Sequence, residues 1–177
     1  SKNTLVYNYT NIERDTKTYT NSTKIYYGYR DAINFISEYN FNLDTKIIFG
    51  LDNEFDRAKF QKDWPTDYLT SDESVHSQYF DVQFRPREKL YSTLGFRRDG
   101  HTTAGSYTTG RGTIAYKLDN LSKIRASYGT GIRYPTLYDY FYGTVVKNKE
   151  DLDPEKSKSF DIGYETNFEK INTNFMK

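Results

Sequence analysis

The stretch SKIRASYGTGIR, residues 122–133, decides how this chain is read. Taken with period two, it puts Ile124, Ala126, Tyr128, Thr130 and Ile132 on one side and Arg125, Ser127, Gly129, Gly131 and Arg133 on the other. A helix would scatter both sets around its axis, whereas a strand, whose side chains alternate across the sheet, sorts them into one apolar and one wet face. The same alternation recurs outward along the chain. Residues 157–168 set Phe160, Ile162, Tyr164 and Phe168 against Asp161, Gly163, Glu165 and Asn167, and residues 47–56 set Ile47, Phe49, Leu51 and Phe55 against Gly50, Asp52, Glu54 and Asp56. Segments 4–10, 32–43, 78–85, 90–97 and 110–118 alternate likewise, which predicts eight strands, with a ninth starting at Ile171.

Composition agrees with sheet and argues against a dry core. Hydrophobic residues make up 36% of the 177, below the usual share of roughly half, while aromatics reach 18%, with 18 Tyr and 12 Phe. Rings and β-branched residues suit the flat, half-buried surface of a sheet. Lys and Arg total 25 and Asp and Glu 24, a formal charge of +1, so no basic footprint for nucleic acid is present. The absence of cysteine excludes disulfide scaffolds, thiol catalysis and Cys-based zinc sites. No run of about 18 apolar residues offers a membrane helix, but a β-barrel crosses with strands of about ten alternating residues and is not excluded.

The connections give the alternation a context. Short charged turns are expected at 43–46, 86–89, 118–123 and 168–170, and long polar loops at about 61–74, 98–108 and 134–156. Short turns at one end and long loops at the other are the pattern of an up-and-down outer-membrane barrel, with lipid outside and a wet lumen accepting the charged face. The fold class expected is therefore all-β: an antiparallel up-and-down transmembrane β-barrel. A passive or structural porin-like barrel and a soluble β-sandwich binding module are the alternatives.

The run IRASYGTGIRYPTLYDYFYG (124–143), followed by LDPEKSKSFDIGYE (152–165), resembles the TonB-dependent outer-membrane receptors, most closely those of the vitamin B12 type. The features that carry the likeness are Ala126 to Gly131, then Pro135, Leu137 and Tyr138, then Leu152, Pro154, Glu155, Lys156, Ser157 and Gly163. FRRDGHTTAGSYTTGRGTIAYKLD (96–119) is similar to the family's preceding hairpin, so the resemblance covers about residues 90–168. It implies a fragment of about eight to nine strands of a larger barrel, residues 1–177, with the plug domain and C-terminal strands absent. It further implies an outer-membrane location in a Gram-negative bacterium, coupling to the TonB complex through the plug, and a scarce bulky nutrient such as cobalamin or a ferric siderophore as cargo. Outer-membrane lipid is the other expected partner, and neither nucleic acid nor a cofactor is expected.

No catalytic constellation stands out, and the expectation is that the chain is not an enzyme. GTGIRYP lacks the Lys-Ser/Thr of a phosphate loop, and no nucleophile elbow is present. His76 and His101 read as solvated loop histidines rather than metal ligands, and Asp151, Asp153 and Glu155 read as a solvated loop face rather than a calcium site. Pro135 fits the first turn of a short loop helix. Tyr134, Tyr138, Tyr140 and Tyr142 are the candidate loop contacts to a substrate or to an aromatic girdle. Asp52, Glu54, Arg97, Arg125, Gly129, Gly131 and Glu165 are the candidate lumen- or plug-facing residues, with the glycines leaving room for whatever fills the barrel.

Overall fold

A computed structural model describes residues 1–17, 23–61, 68–137, 139 and 152–167. It shows one antiparallel sheet of eight strands, each hydrogen-bonded to its sequence neighbours in the order β1-β2-β3-β4-β5-β6-β7-β8. The strands are β1 (Lys2–Lys17), β2 (Thr23–Asn42), β3 (Thr45–Gln61), β4 (Tyr68–Arg87), β5 (Leu90–His101), β6 (Gly105–Lys117), β7 (Ser122–Arg133) and β8 (Glu155–Thr166). This is the meander the alternation predicts, and a single sheet leaves no place for a two-layer sandwich. Ile171, the expected start of a ninth strand, lies outside the described residues. No helix among the described residues is long and apolar enough to cross a membrane.

Several strands run further than their sequence signal. The expected loop at 98–108 is a tight hairpin with residues 102–104 at its tip, turned by Gly105 at φ 82°. Residues 68–74, expected in a loop, are the first part of β4. In both places the outward-pointing side chains are polar, as with Asp72, Ser74 and His76, so neither face of the strand is apolar and the alternation disappears from the sequence. β2 and β4 reach 20 residues each, about twice what a tilted strand needs to cross a bilayer. At the opposite end the connections at 43–44, 88–89 and 118–121 are short as expected, while the turn expected at 168–170 lies outside the described residues. In the 118–121 turn Asp119 accepts from the amides of Leu121 (2.8 Å) and Ser122 (2.7 Å), which hold its carboxyl below the usual range.

Burial is inverted relative to a water-soluble protein. Ser77 and Asp99 are 3% and 4% exposed, while Phe160 and Ile162 are 70% and 71% exposed. The only buried hydrophobic residues among those described are Phe60 and Leu137. Without a second layer, burial of the charged face comes from side chains converging on the inside of a curled sheet, which makes the apolar face the convex one.

The ladder registers show how the strands run through that apolar band. Phe160 shares a row with Tyr128, Gly112, Leu94, Val82, Ile47 and Tyr39. On β8 the apolar residues Phe160, Ile162 and Tyr164 lie in that row and toward the short turns. On β1 Leu5, Tyr7 and Tyr9 lie toward the other end, Leu5 pairing with Phe35 and Phe35 with Leu51. The band therefore crosses the strands obliquely, as strand tilt in a barrel wall requires.

Two glycines of the concave face, Gly50 and Gly95, are covered by neighbouring side chains. A Cβ on Gly50 would run into the Tyr79 ring, and one on Gly95 into the Asp81 carboxylate. At these two positions the space beside the glycine is filled by the wall itself. Gly50→Ala is expected to cost about 1–2 kcal/mol, within the overpacking range, because the rigid ring must swing away. Thermal unfolding of the folded barrel checks this, and an unchanged midpoint would contradict the packing described.

Candidate functional site

The concave face brings charged residues together within a strand, across adjacent strands and across one intervening strand. Asp52 on β3 accepts from Arg97 Nη1 on β5 at 2.7 Å and from the Asn34 amide on β2. Arg97 also donates through Nε to buried Asp99 at 2.7 Å, and its guanidinium lies 5.7 Å from the centre of the Tyr79 ring. Arg30 on β2 holds Asp56 with two bonds of 2.7 and 2.6 Å and reaches Glu54 at 3.1 Å. Arg111 on β6 spans over to Asp81 on β4 with contacts of 3.1 to 3.2 Å. Each bond is modest where water reaches it, on the order of 0–1 kcal/mol for an exposed pair. Together they fix a polar wall whose long side chains are held rather than free.

The predicted wall residues all fall on this face. Asp52 and Arg97 meet each other, Glu54 meets Arg30, and Glu165 meets Lys123 at 3.1 Å. Arg125 is opposite Gly163, where a Cβ would sit 3.1 Å from its Nε, and has no carboxylate partner among the described residues. Gly129 and Gly131 pair with Ser159 and Ser157, and a Cβ on Gly131 would be 2.7 Å from Ser157 Oγ. Arg30, Asp56, Asp81, Asp99 and Arg111 were missed as site residues, because their roles depend on which strands are neighbours. Their parity was the one available signal.

Toward the long-loop end, the wall opens into a cleft of about 690 Å³ lined by Arg30, Glu54, Asp56, Glu73, His101 and Tyr134 among others. His101 is not a solvated loop residue: it ends β5 on the concave face and its side chain is 1% exposed. Its Nδ1 accepts from the backbone amides of Thr103 and Ala104, both at 3.1 Å. Its Nε2 is 3.4 Å from Glu73 Oε2 on β4. His76 is likewise on a strand, exposed on the convex side of β4. Among the described residues no group of three or more His, Asp or Glu is arranged to hold a metal ion.

Of the four candidate loop tyrosines, Tyr134 stacks on His101 with ring centres 4.6 Å apart and packs edge-on to Tyr107 at 6.1 Å. Tyr138, Tyr140 and Tyr142 lie outside the described residues, as does Asp151, whereas Glu155 sits on β8 within 3.3 Å of Arg133. Pro135 precedes the helical residues instead of opening them. Thr136 is the cap: its Oγ1 accepts from the Asp139 amide at 3.3 Å, and Asp139 Oδ2 accepts from the Thr136 amide at 2.8 Å and hydroxyl at 2.7 Å. The sequence T-x-x-D is a capping-box variant and could have revealed this. Thr136→Ala is expected to cost this turn about 1 kcal/mol, read as faster exchange of the Asp139 amide. The two Thr136 donors hold the Asp139 carboxyl below the usual range. With the folded value depressed, the cap is complete above about pH 4 and fails as pH falls through the lower folded value.

An antiparallel meander with a tilted apolar band outside and paired charges inside is a section of a transmembrane β-barrel wall. Among such barrels, the family described as TonB dependent receptor-like, beta-barrel, matches residues 1–175, and the chain belongs to it. Barrels of this family are outer-membrane proteins of Gram-negative bacteria, and its members are receptors and transporters, not enzymes. Solved structures agree on the fold. The siderophore receptor PirA from Pseudomonas aeruginosa is 18% identical, with 94% of this chain covering 32% of that one at a TM-score of 0.70. A mutant of the ferric enterobactin receptor PfeA from Pseudomonas aeruginosa is 14% identical over 93% of this chain and 29% of that one, at a TM-score of 0.73. The copper transporter OprC is 16% identical over 94% of this chain and 34% of that one, at 0.66. The chain spans about a third of the length of these proteins. No curated protein sequence matches it.

Proposed function

We propose that the chain forms part of the wall of an outer-membrane active transporter that captures a scarce, bulky nutrient and moves it inward when energised through TonB. The observation that carries this reading is the family match along residues 1–175. The concave face fits the role: Asp52, Glu54, Arg97, Arg125, Gly129, Gly131 and Glu165 line a lumen and face a plug, and no bond is made or broken there. A passive porin-like barrel has no need of a plug-facing surface, and Arg125, without a carboxylate partner among the described residues, supplies a charge for one.

For the cargo, a ferric siderophore is supported by the names of PirA and PfeA, and cobalamin by the motif pair at 126–131 and 154–157. Tyr134, with Tyr138, Tyr140 and Tyr142 further along the same connection, would touch it from the loop side. The test is uptake of radioactive ferric enterobactin and of radioactive cobalamin by cells whose sole such receptor is the protein as its gene encodes it, with and without TonB. TonB-dependent uptake of either supports active transport and chooses the cargo. TonB-independent passage of small solutes alone would replace this reading with the passive barrel.

A further inference from the structure

We infer that His101 is a positioning residue that holds residues 134–137, which follow β7, against the wall, and releases them on acidification. Four observations converge on it. The imidazole is almost wholly buried at the end of β5. Its Nδ1 takes both amides of the hairpin tip, Thr103 and Ala104. That tip is tied in turn to β4, where the Thr102 amide donates to the Ser74 carbonyl at 3.1 Å and the Ser74 amide donates to Thr102 Oγ1 at 2.9 Å. Tyr134, the first residue after β7, lies stacked on the ring, and Leu137 three residues later is buried beside the same cleft. One side chain thus joins β4, the β5–β6 hairpin and residues 134–137 that follow β7.

The hydrogen bonds fix the protonation state. An Nδ1 that accepts from two amides carries no proton, so the single proton of the neutral ring is on Nε2, the nitrogen 3.4 Å from Glu73 Oε2. Adding a second proton places an N–H against two N–H donors, breaks both bonds and leaves the hairpin tip without its acceptor. The surrounding charges act on the same equilibrium. Glu73 from β4 and Asp56 and Glu54 from β3 favour the cation, Arg30 from β2 opposes it, and Asp99 on β5 itself is engaged by Arg97. Tyr107 from β6 and Tyr134 contribute rings. Carboxylates near a ring whose neutral form is needed for packing make a switch: the ion pair with Glu73 compensates the charge while the two amide bonds are lost. Burial holds the folded ring below the ordinary histidine value, against the pull of Asp56, so the contacts made by the neutral ring are complete above about pH 6.5 and are lost as pH falls through that lower folded value.

Positioning a ligand-contacting loop rests on the transport reading above, but the latch itself is tested without ligand. Amide hydrogen exchange is followed by mass spectrometry on the whole receptor in lipid nanodiscs at pH 7.5 and pH 5, corrected for the intrinsic pH dependence of exchange. Expected in the native protein is protection of the Thr103 and Ala104 amides at pH 7.5, falling at least tenfold at pH 5, with the amides of Tyr134, Thr136 and Leu137 losing protection in step. His101→Asn keeps an acceptor oxygen near the Nδ1 position and cannot titrate, so its protection should be equal at both values. Tyr134→Ala should free the Thr136 and Leu137 amides at pH 7.5 while Thr103 and Ala104 stay protected. Protection in the native protein that does not change with pH, or an unchanged fall in His101→Asn, overturns the inference. Uptake that fails while the exchange profile behaves as expected overturns only the transport reading.

Discussion

Leu94→Arg is expected to destabilise the folded barrel by about 2–4 kcal/mol, the cost of a cation on the lipid face near the bilayer midplane. Leu94 is on the convex face, in the row that runs from Tyr39 through Ile47 and Val82 to Tyr128 and Phe160. An arginine there has no carboxylate in its row and must draw its charge through apolar surroundings toward a headgroup. The adjacent residue is the control. Thr93 lies on the concave face opposite Gln83 and Thr113, so Thr93→Arg should change stability by less than about 1 kcal/mol, as substitutions facing a wet lumen do. Urea titration of each variant of the whole barrel in lipid vesicles gives the comparison. Equal tolerance at positions 93 and 94 would mean that the convex face does not meet lipid.

Arg97→Met is expected to cost roughly 3 kcal/mol, at the low end for removing one partner of a buried ion pair. The guanidinium is 41% exposed, which limits the loss, but Asp99 is buried and Asp52 half-buried, and each loses its Arg97 bond. Among the described residues, two carboxylates of like charge would then be left with only Asn34 between them as a donor. The cost should be largely reversed in Arg97→Met/Asp52→Asn/Asp99→Asn, because removing both charges eliminates the uncompensated burial rather than the packing. The same unfolding assay decides it. If the triple variant is no more stable than Arg97→Met, the cost comes from the lost contact with Tyr79 and not from electrostatics.

Legibility in the sequence follows where the two faces of a strand differ chemically. Across the apolar band, a pattern such as Ile124, Ala126, Tyr128 against Arg125, Ser127, Gly129 can be read without a structure, and all eight strands were found that way. Beyond the band both faces are wet. Asp72, Ser74 and His76 on one side of β4 and Glu73 and Ser77 on the other leave no contrast, so that part of the strand reads as a loop. The same reason hid His101, whose burial depends on a hairpin tip and on Tyr134 arriving from beyond β7. The short helical turn was legible in T-x-x-D at 136–139, but Pro135 drew attention one residue too early.

The sequence by itself determined the strand-forming segments, their number among the described residues, the parity that separates apolar from charged side chains, and the family. Those properties are local, since period-two alternation and short motifs are complete within a dozen residues. Only the tertiary structure decided which charges pair, because Arg97 meets Asp52 across 45 positions and Arg30 meets Asp56 across 26. The register of each ladder sets those meetings, along with the oblique course of the apolar band and the side chains that lie over Gly50 and Gly95. A one-residue slip in any ladder would move every side chain of that strand to the opposite face.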